Sequence, residues 1–209
     1  MQSTTFNRFA GLCAILTGIA ILSYSVAFIV IARRAPEVGG LLSALFLLLN
    51  GLLATPVFTT IYARLRETDT RFALWALLLS ILGALGAAIH GGYDLANALN
   101  PPALPADLSD GLATLPSQID PRGLLTFGVT GIALLVVAWL MGYGRGFPNG
   151  LPYLTYLSAV LLIVIYLGRL TILNPANPAL LIPTLLAGFV VNPIWYIWLG
   201  LALWRDART

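Results

Sequence analysis

Lysine is missing from this 209-residue chain, histidine and cysteine occur once each, and charged residues make up only 9%. Each scarcity removes a class of chemistry. Without lysine there is no amine for a retinal or pyridoxal Schiff base, nor for a Walker-type phosphate loop. A single histidine, His90, excludes a haem held by two histidines and a HExxH zinc site. The lone Cys13 allows neither an internal disulfide nor a cysteine metal cluster. It lies in an apolar run, reads as a small buried hydrophobe, and is not expected to form a nucleophile pair with His90. There is no GxSxG elbow and no serine near His90 in sequence. No catalytic residue and no metal ligand is therefore assigned, no cofactor is expected, and a non-enzymatic role is anticipated.

What is abundant is apolar sequence, at 59% of residues. A soluble domain carries roughly 25% charged residues, so this chain needs lipid rather than a water-facing surface. Uncharged windows run from Arg8 to Arg33, Glu37 to Arg64, Arg71 to Asp94, Arg122 to Arg145, Arg145 to Arg169 and Arg169 to Arg205. Every window exceeds the ~20 residues that carry a helix across a hydrocarbon core. Strands of a membrane barrel are shorter and alternate in polarity, which leaves helices. The first window begins like a signal sequence after Arg8, but it is too long for one and is expected to remain as a helix. Asn174 to Pro178 breaks the last window near its start. The fold expected is all-α, a single transmembrane domain over residues 1–209. Its six spans fall at about 10–31, 40–62, 72–97, 123–143, 151–172 and 179–204.

All eleven basic residues are arginine, against eight acids, for a net charge of +3. They lie singly or in pairs between apolar runs and form no basic stripe, so no nucleic-acid partner is expected. The side holding both termini collects Arg8, Arg64, Arg66, Arg71, Arg145, Arg205 and Arg208, while Arg33, Arg34, Arg122 and Arg169 fall on the other. This balance predicts both termini in the cytoplasm. The connection at about 100–121 is rich in proline and acid, and is predicted outside. Its Leu108, Leu112, Leu115 and Ile119 recur at helical spacing, which suits either a short interfacial helix or an ordinary loop. Three spans on each side of it would suit an inverted repeat, yet residues 9–97 and 124–204 share no evident self-similarity.

One polar cluster falls inside the apolar sequence. His90, Asp94 and Asn97 share a helical arc at i, i+4 and i+7, continued downward by Gly83 and Gly86. An acid and a histidine in lipid are costly unless they face a partner or a hydrated cavity. Arg169 on the fifth span reaches similar depth, and Thr155, Ser158 and Tyr166 share its face. Tyr93, Asn97 and Tyr166 complete the candidate ligand or proton site. The alternative is a buried network that pins spans three and five together. A secondary candidate is Asn50 with Thr55-Pro56 and Thr59-Thr60 on span two, and Asn192-Pro193 on span six, where proline frees carbonyls that threonine or asparagine can satisfy. Trp195, Tyr196, Trp198 and Trp204 are expected to form an aromatic belt. Gly128 and Gly131, like Gly83 and Gly86, suit close helix packing.

The segments YARLRETD, HGGYDLANALNPP, DPRGLLTFG and NPIWYIWLGLALWR resemble an uncharacterised bacterial family of six-span integral membrane proteins of unknown function. The resemblance implies a bacterial cytoplasmic (inner) membrane and transfers no catalytic residue. The expected function is a membrane-embedded accessory or ligand-binding subunit of a larger complex, partnered by lipid and by other membrane subunits or copies of itself. Two alternatives are a small proton-coupled carrier using His90, Asp94 and Arg169, and a lipid-directed enzyme using His90 with Asp94 as its acid–base pair.

Overall fold

Each uncharged window folds as one helix, ended by proline, glycine or charge. The computed structural model describes residues 4–100, 119–144, 146–172, 174 and 177–206. Six helices are long and apolar enough to cross a membrane: α1 (Thr4–Ile31), α2 (Pro36–Leu65), α3 (Thr70–Leu99), α4 (Pro121–Tyr143), α5 (Leu151–Thr171) and α6 (Pro178–Arg205). The described residues contain no strand. Helices α1 to α3 overrun the expected spans because Arg8, Arg64 and Arg71 lie within their terminal turns. There a long cationic side chain can keep helical backbone while its head reaches water. Most of the 100–121 connection, including Leu108, Leu112 and Leu115, lies outside the described residues.

Local chemistry sets the ends. Pro36, Pro121 and Pro178 open their helices, where the missing N–H costs nothing. Asp69 caps α3 by accepting from the Arg71 and Phe72 amides at 2.9 and 3.0 Å. Inside α2, Pro56 cannot donate to the Leu52 carbonyl, and the Thr55 hydroxyl donates to that oxygen instead at 2.8 Å.

Sequence neighbours pack side by side, and α6 returns to pack along α1, so the six helices close a ring. Glycine permits this. A β-carbon on Gly51 of α2 would collide with the backbone of Ala84 and Ala88 on α3, and one on Gly91 with the backbone of Ala44 and Leu48. Gly11 of α1 and Gly200 of α6 meet in the same backbone-to-backbone fashion. Without a hydrophobic drive between helices in lipid, such close contact is what associates them.

The half of the ring nearest the termini is filled by Phe58, Ile61, Val137, Leu140, Leu151, Trp195, Leu199 and Leu203, all buried. Outward faces carry exposed Leu12, Leu16, Ile19, Leu78, Leu82 and Val160, an apolar surface that fits lipid contact. The expected aromatic belt is corrected here. Trp195 is 0% exposed and Tyr196 7%, so both belong to the core. The Trp195 indole N–H donates to the Thr155 hydroxyl at 2.7 Å, a bond that a lipid-facing ring would forgo. Trp198 is exposed and Trp204 half-buried, and near the termini Phe6, Phe9, Phe72, Trp75, Trp139, Tyr143 and Tyr153 are exposed with them.

Gly51→Val should lower the detergent melting midpoint, at a cost of about 1–3 kcal/mol from overpacking. Gly142→Val, where an added β-carbon meets nothing within 4 Å, should leave it unchanged.

Candidate functional site

The half of the ring away from the termini, the distal half, is not filled. A cavity of about 140 Å³ lies there, bounded by α1, α2, α4, α5 and α6. Its walls are largely apolar, lined by Ile21, Leu47, Phe127, Leu134, Leu162 and Ile165, with the exposed Phe28 at its edge. Three helices change winding at its edge. Val26–Ile31 closes α1 as a π-helical turn, Leu124–Val129 opens α4 as another, and Ala187–Val191 interrupts α6 as a third. In each, an amide donates to the carbonyl five residues back: Ala32 to Ala27, Thr130 to Leu125, and Asn192 to Ala187. Pro193, which has no N–H, explains the third. Such turns widen a helix locally and recur at functional sites. All three contribute cavity-lining residues.

Polar groups sit at defined depths. At the distal end stands Arg169, half-buried in the last turn of α5, its guanidinium 5.3 Å from the centre of the Phe127 ring. No carboxylate among the described residues lies within salt-bridge distance of it. Midway, the Asn50 side-chain oxygen of α2 is buried and has no hydrogen-bond partner among the described residues. At the deep end Asn192 accepts a short hydrogen bond from Ser158, and the Thr155 hydroxyl below it takes the Trp195 indole. These last two bonds join α5 to α6.

Beside the cavity, His90 of α3 stands between two acids. Its Nε2 is 3.2 Å from Asp94, one turn on, and its Nδ1 is 3.8 Å from Asp120, which leads into α4. Asp120 is 2% exposed and accepts the Leu125 and Thr126 amides at 2.7 and 3.0 Å, so it caps the first π turn of α4. Burial by itself would raise the Asp120 carboxyl, but His90 and the donors at the start of α4 stabilise the anion and hold it down at about 2. The chain between them is tight: Arg122 and Gly123 have φ of 59° and 79°, the left-handed region. A β-carbon on Gly123 would strike the Phe127 ring on which Arg169 rests. The turn after Asp120 thus sets the distal wall of the cavity.

The sequence-assigned residues therefore separate into two places. His90 and Asp94 pair, while Arg169 rests on Phe127 beside the turn that follows Asp120, outside salt-bridge distance of the described acids. Tyr24 of α1 lines the cavity together with Arg169. Tyr93 is 47% exposed and points away from the cavity, and Asn97 is half-buried beyond the pair. Tyr166 packs its ring against Gly128 of α4. Asn50 and Asn192, from the secondary candidate, both line the cavity together with Arg169. Sequence reasoning missed Asp120 and Tyr24. An Asp-Pro pair just before an apolar run is a helix-start signal that would have found Asp120. Among the described residues no group of three or more His, Cys, Asp or Glu side chains is arranged to hold a metal ion. Comparison with family models, curated proteins and solved structures finds no match to this chain.

Asp120, an acid held below its unfolded value of about 3.9, stabilises the fold above pH ~4. That contribution, on the order of 1–2 kcal/mol, should fade as pH falls from about 4 toward 2. Melting scans in detergent at pH 5 and pH 3 should show a larger drop for the native chain than for Asp120→Asn.

Proposed function

We propose that this chain is a membrane-embedded, non-enzymatic ligand-binding subunit of a bacterial cytoplasmic membrane, with both termini on the cytoplasmic side. It works beside other membrane subunits or further copies of itself. The observation that carries the reading is the cavity inside a closed ring, with an unpartnered Asn50 oxygen in its wall. A buried polar atom without a partner costs about 1–3 kcal/mol, and at a cavity wall a ligand's donor can offset that cost. The arginine balance supports the orientation. The sequence resemblance supports the membrane.

The carrier reading, built on His90, Asp94 and Arg169, requires a hydrated route to both faces. Leu140, Trp195, Leu199 and Leu203, none more than 1% exposed, pack the ring shut below the cavity. That packing favours binding over transport.

Native mass spectrometry of protein extracted from its own membrane in mild detergent tests this reading. The native chain should carry a small molecule, and Ala187→Phe, which fills the cavity from α6, should not. An equal load on both proteins would place the molecule elsewhere and sink the reading. Extraction of a solitary chain, with no second subunit or copy, would remove the accessory role. The Asn50→Leu substitution should raise the melting midpoint of the empty protein by about 1 kcal/mol of stability while reducing the bound fraction.

A further inference from the structure

We propose that the cavity selects a small lipophilic anion: one carboxylate held by Arg169 and a narrow apolar body inserted toward Asn192. This rests on the binding reading above and specifies its ligand.

Charge comes first. Arg169 presents a planar fork of donors that matches a carboxylate. Its guanidinium lies over the face of Phe127 and beside Gly123, and the ring attracts the cation without satisfying any of its hydrogen bonds in the plane. The described acids nearest the mouth are committed elsewhere, Asp94 to His90 and Asp120 to His90 and two amides. A carboxylate arriving from outside therefore meets a cation with no competing described carboxylate. In a low-dielectric setting that hydrogen-bonded pair is stronger than in water.

Size comes second. A cavity of about 140 Å³ is close to the volume that holds a benzene ring. Leu134, Leu162 and Ile165 line its body, and the π turns of α1, α4 and α6 each add residues to its wall. A phospholipid with two chains does not fit. A single ring or the first carbons of one chain does. The Asn50 amide, midway down, offers one further polar contact to a ligand that carries a donor.

Two sources share this chemistry, a small aromatic acid and a medium-chain fatty acid. Calorimetric titration of the full chain in neutral detergent at pH 7 separates them, using phenylacetate and octanoate beside their uncharged partners 2-phenylethanol and 1-octanol. The acids should bind and the alcohols should bind at least tenfold more weakly. Arg169→Gln should weaken the acids about ten- to a hundredfold and leave the alcohols unchanged. Arg169→Lys, which keeps the charge and loses the fork, should fall between. Binding of only one acid supports the proposal and names its source. Alcohols that match the acids, or acids that bind Arg169→Gln undiminished, overturn it, and the acid–alcohol comparison on the native chain stands even where a variant fails to fold. If neither acid binds while the native extract still carries a small molecule that Ala187→Phe loses, the anion proposal falls and the binding reading stands.

Discussion

Backbone contact at glycine is the constraint on which this structure rests. Gly51 and Gly91 bring α2 against α3, and Gly11 meets Gly200 where the last helix returns to the first. Lipid gives apolar side chains no reason to leave it, so helices associate in a membrane through close packing. With both seams made, the helices form a ring and not a row. A ring has an inside, and what fills it differs between its two halves. Trp195, Phe58 and several leucines plug the half near the termini. The distal half is walled but left open.

The π turns belong to that difference. A regular helix presents its side chains at fixed intervals, and three of them meeting at one level would crowd the axis. Each extra residue at Val26–Ile31, Leu124–Val129 and Ala187–Val191 shifts the phase of its helix there. Asp120 fixes one of these shifts by capping the first turn of α4, and His90 stands against it from α3. The ion cluster and the cavity are thus parts of one construction. The cluster sets the distal end of α4, and α4 supplies Phe127, the surface on which Arg169 rests. Charge placed in lipid is costly, and here two carboxylates flank the histidine while the arginine rests on an aromatic face.

Much of this was legible in the sequence, for a reason specific to membranes. A helix crossing lipid must satisfy its own backbone and exclude charge, so arginines and acids mark the spans almost directly. Six helices follow from the positions of Arg8, Arg33, Glu37, Arg64, Arg71, Arg122, Arg145, Arg169 and Arg205. The pairing of His90 with Asp94 was equally accessible, because i and i+4 meet on any helix. Two other readings were not within reach. The cluster NPIWYIW looks like an interfacial belt by composition, yet the face of α6 that carries Trp195 and Tyr196 points into the ring. Arg169 matches His90 in depth, yet its guanidinium rests on the Phe127 ring and forms no salt bridge with the described acids that flank His90.

The sequence by itself therefore determined the number of helices, their approximate ends and the depth of each polar group, since all three depend on distance along a single helix. Tertiary structure decided which polar groups share a space. Asn50, Arg169 and Asn192 lie on three helices and far apart in the chain, and only the closure of α6 on α1 brings them round one cavity. Rotation of a helix about its axis and the order of helices around a ring are set by packing between segments, and no periodicity within one segment encodes them.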